Sequence, residues 1–428
     1  MRFFSNHRKQ RKIAILFALI LLSLIAMKSK YPVSNPSWVW RRAEHRSADL
    51  TPLENWFQVS GPSMAPTLYG ECNQWSCRKC GWENRFFLYQ QREDLTPMIP
   101  CASCFALSTQ VDEIKNYSGD QVRVSRIQES AYQELRRGVL VAINREGTMH
   151  LKRIVGLPGD RIDLSKFHLN VNSNRIEDLL RDVDALLPSP WFLVDKDSQA
   201  RISRWVSCDL DHSNNKGWVR THDGVWEFSG EKSTWLRFSP GLGDPRNIET
   251  PIWDQFHCNV GVERKLFSVD RLRLSGTSFS SCPMSIFFWT KEGIKKITQQ
   301  PTASESFSVS CYEADYVPEK EAASLPVDAK HPIAIHAGCG GARIIGLEIE
   351  RSLEYRIRPH DNLDQFPILL KPDQYYVLGD NIPLSVDSRN WGPISKEMVV
   401  GEIKYVQRGK IAGKRCLMSL ALNPQMIT

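Results

Sequence analysis

Ser63 and Lys152 are the two side chains in this sequence whose chemistry could be coupled: a hydroxyl, and an amine able to take its proton. Ser63 sits between Gly61-Pro62 and Met64-Ala65-Pro66. That setting interrupts a regular helix and can hold a hydroxyl at a strand end with its backbone N–H exposed. Lys152 lies in the run M-H-L-K-R-I-V-G-L, where strand alternation puts His150, Lys152 and Ile154 on one face and Leu151, Arg153 and Val155 on the other. One of the adjacent cations must therefore point at whatever apolar surface the strand covers. The plain reading is a lysine that snorkels to water. The chemical reading is a buried lysine whose ammonium form is disfavoured by desolvation, neutral near pH 7 and able to deprotonate a serine. An arginine could not do this, since its pKa stays above ~12.

A second group of residues has metal-ligand spacing. Cys77 and Cys80, then Cys101 and Cys104, form C-x2-C, a twenty-residue spacer and C-x2-C. This is the spacing of a four-thiolate zinc ribbon, in which each C-x-x-C turn brings two sulfurs to one tetrahedral ion. Two disulfides are the alternative if the segment lies outside the cytoplasm. A closed four-thiolate site has no open position, so its role is a structural staple. The other seven cysteines, Cys72, Cys208, Cys258, Cys282, Cys311, Cys339 and Cys416, show no ligand spacing.

The elements that must position these groups read mainly as strands. Trp56 to Val59 leads into the Ser63 turn; QVRVSRI, GVLVAI and the MHLKRIVGLPGDRIDL segment follow, with a turn at Asn144 to Gly147, and Tyr375 to Leu378 resumes the pattern. Residues 166–367 are aromatic and Gly/Pro-punctuated, with short strand-like runs such as GWVRTHDGVWEFSG, MSIFFW and RIIGLEIERSLEYRIR. They predict an all-β sandwich of the carbohydrate-binding type, with no motif that fixes its role.

The net charge of +7 over 428 residues is unevenly placed. Residues 1–46 hold ten Lys or Arg against Glu44 alone, a local +9 that leaves −2 for the remainder. A basic groove tracking a phosphate backbone is not supported, and no nucleic-acid partner is expected. Within the basic region, Ile13 to Met27 carries no charge and a single Ser23. As a helix it spans roughly 22 Å, short of the ~30 Å hydrocarbon core. A cleaved secretory signal lacks its small-x-small site here, and a buried soluble helix lacks a polar face. A short transmembrane anchor fits best, with Lys12 and Lys28 snorkelling and Trp38 and Trp40 near the far interface. The positive-inside bias puts the N-terminus in the cytoplasm and the body outside.

Three segments, VSGPSMAPTL, RGVLVAI with HLKRIVGLPGD, and YYVLGDN with SVDSRNWG, occur in the order found in bacterial type I signal peptidases. In them the sequence closely resembles that family, over roughly residues 10–68, 119–165 and 373–408. The resemblance implies a membrane-anchored serine endopeptidase that removes signal peptides from exported preproteins with a Ser/Lys dyad. The implied fold is mainly β: a signal-peptidase-like antiparallel β fold with an N-terminal transmembrane helix, a zinc-ribbon-like inserted loop and a large β-rich insertion. By the same resemblance Ser63 is the nucleophile and Lys152 the general base. Ser385 hydrogen-bonds and orients Lys152, Asp387 and Arg389 form a supporting ion pair, and the Ser63 N–H contributes to the oxyanion hole. The resemblance implies no cofactor for catalysis; a structural zinc is expected from the spacing of Cys77, Cys80, Cys101 and Cys104 alone. The implied partners are signal peptides, the lipid bilayer of the cytoplasmic (inner) membrane, and the secretion machinery.

Two positions depart from the family pattern. Gly61 stands where many Gram-negative members carry a second serine that assists the oxyanion hole, and Ile382-Pro383-Leu384 follows G-D-N where polar residues are frequent. The expected organisation is a basic tail (1–12), an anchor (13–27), a catalytic domain split over 53–68, 119–165 and 368–408, a ribbon-like insertion (69–118), a β-rich insertion (166–367) and a C-terminal tail (409–428). The competing readings are a tethered binding protein on an inactive peptidase scaffold, and a self-cleaving Ser/Lys regulator. The retained Ser63 and Lys152 argue against the first, and the hydrophobic span in place of a DNA-binding module argues against the second.

Overall fold

The computed structural model describes residues 55–78, 81–88, 99, 101–102, 114–127, 132, 134–181, 191–197, 203–208, 217–230, 232–241, 249–260 and 262–414. The expected anchor, Ile13 to Met27, lies outside them. Among the described residues no helix is long and apolar enough to cross a membrane.

A seven-stranded sheet carries the segments that hold Lys152 and the residues flanking Ser63. Its strands run in the order Asn55–Gln58, Gln121–Arg126, Val399–Gln407, Leu140–Arg145, Thr148–Gly156, Gln374–Leu378 and Ile394–Ser395, all antiparallel. The apolar run Leu140-Val141-Ala142-Ile143 shows why the order works. Leu140 and Ala142 pack with Val122, Val124 and Ile403 on one face, while Val141 and Ile143 pack with Ile154, Val377 and Val399 on the other. A strand covered on both sides is continuously apolar, and this run is. The turn into the Lys152 strand is closed by Gly147, whose φ of 82° suits glycine and whose N–H is accepted by Asn144 Oδ1 at 3.1 Å.

A four-stranded sheet follows, ordered Asn174–Arg175, His168–Val171, Arg161–Ser165 and Ile368–Leu369. Ile162, Leu169, Val171 and Ile176 share one core with Leu353, Tyr355, Leu370 and Tyr376. The boundary expected between residues 165 and 166 therefore falls inside a paired hairpin, because Arg161–Ser165 pairs with His168–Val171. Residues on both sides of the sandwich, through Ile176 and from Leu353, pack with the strands that surround Lys152.

The β-rich segment is a sandwich of two six-stranded sheets. Trp205, Phe228, Leu236, Ile286, Phe288, Ile335, Ile344 and Leu347 fill the space between them. Cys282 and Cys339, 57 residues apart, are joined by a disulfide that spacing alone did not reveal.

The cysteine-rich segment is not self-contained. Its strands Cys72–Ser76, Glu83–Leu88 and Lys115–Tyr117 form a five-stranded sheet with Asn259–Val260 and Ile411–Lys414. The last of these begins two residues into the stretch expected to be a C-terminal tail, so that part of the tail is sheet. Asp120 pins this sheet to the segment that follows Ser63: it accepts from Tyr69 N at 2.9 Å, Tyr117 Oη at 2.5 Å and Arg408 Nη1 at 2.7 Å.

Candidate active site

The turn from Pro62 to Leu68 is closed by hydrogen bonds from Ala65 N to Pro62 O at 2.9 Å and from Leu68 N to Met64 O at 3.0 Å. Met64, Ala65 and Leu68 are buried and anchor the turn, while Ser63 between them remains partly exposed. This is the distribution a nucleophile needs: fixed neighbours and an accessible hydroxyl. The Ser63 backbone N–H has no hydrogen-bond partner within the described residues and is free to donate to an incoming group.

Lys152 Nζ lies 3.2 Å from Ser63 Oγ and donates to Leu151 O at 3.1 Å. Its side chain is 1% exposed. Burial pulls its pKa down to about 8; Asp387 opposes the shift, Arg389 adds to it, and Asp380 opposes it. The Trp391 ring, 5.7 Å from Nζ, covers the amine. A proton can pass from Ser63 Oγ to this nitrogen whenever the amine is neutral.

Both adjacent cations turn out to be buried, not one. Arg153, 0% exposed, points to the opposite side of the sheet and forks onto Asp380, Nε to Oδ1 at 2.9 Å and Nη2 to Oδ2 at 2.5 Å. Its Nη1 donates to Gly138 O at 2.7 Å. Asp380 also accepts from Tyr355 Oη at 2.8 Å and from Thr67 Oγ1. One carboxylate thereby ties the Ser63 turn, the Lys152 strand and the G-D-N segment together. Linear sequence gives Thr67, Arg153 and Asp380 no role, although each lies in one of these segments. A Lys-Arg pair in an apolar strand was the available signal, since a buried guanidinium requires a carboxylate.

Asp387 and Arg389 form the expected pair, with Nε to Oδ1 at 2.9 Å and Nη2 to Oδ2 at 2.7 Å, both residues buried. Burial pushes the Asp387 carboxyl up, but Arg389 and the Gly379 N–H, 3.0 Å from Oδ2, outweigh it and hold the pKa below the usual range. Arg389 also reaches Arg356 O at 3.1 Å and Ile382 O at 2.9 Å, so Ile382 takes part in the site through its backbone. Asp387 caps the short helix Ser388–Trp391, and the pair fixes both ends of the loop that carries Ser385.

Ser385 is fully buried and lies close to Ser63. A Cβ on Gly379 would lie 2.0 Å from Ser385 Oγ and 2.5 Å from Ser63 O, so the two serines flank the same glycine. The hydrogen bond to Lys152 implied by the family resemblance is not formed. Among the described residues Ser385 Oγ has no hydrogen-bond partner, and Lys152 Nζ is directed to Ser63 Oγ and Leu151 O instead.

Asn381 completes the arrangement. Its N–H donates to Ser63 O at 3.0 Å and its Nδ2 to Pro62 O at 3.0 Å. Its amide pairs reciprocally with Asn259, at 2.6 Å and 2.9 Å. Asn259 sits where the sandwich segment joins the cysteine-rich sheet by parallel pairing with Phe87. Nothing in the local sequence around Asn259 distinguishes it, because its role exists only through a partner 122 positions away.

Of the four thiols with ligand spacing, Cys77 and Cys101 pack in one small core with Trp75, Phe86, Ile99 and Ile114. Cys80 and Cys104 lie outside the described residues. Gly81 N donates to Cys77 O at 2.7 Å, a tight turn across C-x-x-C, and Asn84 Nδ2 donates to Cys101 Sγ at 3.6 Å. Among the described residues no three His, Cys, Asp or Glu side chains converge as a metal site.

The family model described as signal peptidase, peptidase S26, matches residues 100–203 and 341–407. These stretches contain Lys152, Ser385, Asp387 and Arg389, whereas Ser63 precedes them and most of the sandwich falls between them. The match supports a peptidase of the signal peptidase family. No curated protein matches the chain. Among solved structures it is similar to the family 11 carbohydrate-binding module from Clostridium thermocellum in complex with a β-1,3-1,4-mixed-linked tetrasaccharide, at 12% identity over 37% of this chain and 94% of that one, TM-score 0.22. It is also similar to the family 11 carbohydrate-binding module of the cellulosomal cellulase Lic26A-Cel5E of Clostridium thermocellum, at 12% identity over 36% and 92%, TM-score 0.22. A TM-score of 0.22 carries no conclusion about fold or ligand.

Proposed function

We propose that the chain is a type I signal peptidase: a membrane-anchored serine endopeptidase in which Ser63 and Lys152 cleave signal peptides from exported preproteins. The observation that carries this reading is the 3.2 Å approach of a fully buried lysine amine to the hydroxyl of a partly exposed serine. In the acylation step Ser63 Oγ attacks the scissile carbonyl carbon while its proton passes to neutral Lys152 Nζ. The resulting oxyanion accepts a hydrogen bond from the Ser63 N–H. Collapse breaks the C–N bond, and the Lys152 ammonium returns the proton to the leaving amine. Water, deprotonated by the same amine, then hydrolyses the acyl-serine.

Asp387 and Arg389 are positioning residues in this reading. Their mutual charge compensation holds the Ser385 loop without adding net charge beside Lys152. An extended signal-peptide segment would bind by strand addition, with shallow apolar pockets that accept small residues before the cut.

The localisation we propose is the cytoplasmic membrane, with Ile13 to Met27 as the single anchor, the basic tail in the cytoplasm and the catalytic body outside. The Cys282–Cys339 disulfide supports an oxidising compartment for that body. Association with the secretion machinery follows from the substrate class. For the cysteine cluster we propose a structural zinc held by Cys77, Cys80, Cys101 and Cys104. The amide donor on Cys101 Sγ and the tight turn after Cys77 both suit thiolate ligands.

Processing of a reporter preprotein in membranes, by the wild type and by Ser63→Ala, tests the function. The wild type should release a mature N-terminus directly after a small-x-small sequence, and Ser63→Ala should leave the precursor intact. Equal processing by both proteins would overturn the reading.

A further inference from the structure

Away from the dyad, one guanidinium among the described residues is buried without a carboxylate on it. Arg351 is the penultimate residue of the long sandwich strand Ala342–Ser352 and is 1% exposed. It donates to two acceptors, both backbone carbonyls: Nη1 to Ser352 O at 3.2 Å and Nη2 to Gln255 O at 2.8 Å. A guanidinium has five N–H donors, so three are left unfilled. The carboxylates that act on it through space, Asp254 and Glu354, are each engaged by another arginine, Arg264 at 3.0 Å and Arg356 respectively. The rings of Phe192 and Phe256 lie 4.9 and 5.4 Å from its guanidinium carbon and offer π faces but no acceptor.

Arg351 lines a cavity of about 30 Å³ between the sandwich and the cysteine-rich sheet, whose walls also include Trp82, Phe192, Trp253 and His257. Arg204, on the same wall, is matched by Asp195 at 2.9 Å and contributes no net charge. Burial, then Arg351 and Arg204, push the His257 imidazole down to about 3, so that ring is neutral at physiological pH. Arg351 remains a cation there, although burial pulls its pKa down to about 10. The cavity wall is thus net positive. Trp82 and Trp253 are only half-buried, which leaves the mouth reachable from solvent. A cavity needs roughly 10–15 Å³ to admit one water, so this one admits a group of a few heavy atoms and no more.

We propose that this cavity is a carboxylate-binding site in which Arg351 takes one carboxylate group on its unfilled N–H donors. The planar guanidinium fork matches a carboxylate in two parallel hydrogen bonds, and such a pair relieves the cost of an uncompensated buried charge. The group can be a small free acid or an acidic side chain of a polypeptide. The site is independent of the Ser63 chemistry.

The test is calorimetric titration of the full-length detergent-solubilised protein with sodium acetate at constant ionic strength, using sodium chloride as the control. A saturable one-site isotherm for acetate, absent for chloride, is expected; no saturable acetate binding, or equal binding of chloride, overturns the proposal. Arg351→Met should lose the isotherm, and Arg351→Lys should weaken it at least tenfold. Unchanged acetate binding by a folded Arg351→Met also overturns it. If neither variant folds, the wild-type isotherms decide. Competition by N-acetylated, C-amidated peptides differing only in Asp against Asn identifies the source: displacement of acetate by the Asp peptide alone assigns a polypeptide, and no displacement assigns a small free acid.

Discussion

Lys152 Nζ and Ser63 Oγ stand 3.2 Å apart across 89 residues of sequence, and the amine is held in a pocket where burial brings its pKa to about 8. The protonated amine cannot accept the Ser63 proton. The rate of preprotein cleavage, kcat/KM, is therefore predicted to rise about tenfold per pH unit below pH ~8 and to level off above it. A pH–rate profile on a synthetic signal-peptide substrate checks this. A profile flat from pH 6 to 9 would show that no amine titrating near 8 controls the step.

Gly379 is predicted to tolerate no side chain. A Cβ there would meet Ser385 Oγ at 2.0 Å and the Ser63 carbonyl at 2.5 Å, and the second of these is backbone that cannot swing away. Displacing the proposed nucleophile by about 1 Å costs on the order of 100-fold in rate. Gly379→Ala should lose activity on that scale while retaining the β-sheet circular dichroism of the wild type. Wild-type turnover in this variant would mean the Ser63 turn is not packed against Gly379.

Asn259 is predicted to act on catalysis from outside the catalytic segments. Its reciprocal amide pair with Asn381 backs the two hydrogen bonds that Asn381 makes to Pro62 O and Ser63 O. Asn259→Leu leaves Asn381 Oδ1 buried without its donor while Nδ2 keeps Pro62 O, a penalty of about 1–3 kcal/mol. Steady-state kinetics should show kcat reduced roughly tenfold with KM unchanged, because Asn259 does not touch substrate. A change confined to KM would instead make Asn259 part of the binding surface.

These arrangements mark how far sequence could see. The Ser63 turn and the Lys152 strand were legible because each is local, a Gly/Pro frame and a period-two alternation, whereas the Asp387–Arg389 pair came only with the family resemblance. Asp380 stood in a quoted motif, yet its partners Thr67, Arg153 and Tyr355 come from three distant segments, and linear spacing carries no trace of that convergence. The same holds for Asn259 and for the Cys282–Cys339 disulfide. The Arg161–Ser165 hairpin was cut at its turn because a turn between paired strands and a domain boundary look alike in composition.

For the cysteine cluster, elemental analysis of protein purified without added zinc is predicted to find about one equivalent per chain. Chelation should lower the melting temperature, since a structural zinc contributes folding free energy directly. Less than half an equivalent, together with no free thiols at Cys77, Cys80, Cys101 and Cys104, would establish disulfides in its place.

The central claim is that the Lys152 amine is the base that activates Ser63, and substitution by a cation that cannot lose its proton tests it most directly. In single-turnover cleavage of a preprotein at neutral pH by purified Lys152→Arg, verified as folded, the account predicts no detectable product, because a guanidinium stays protonated there. Cleavage by that variant at the wild-type rate would contradict it.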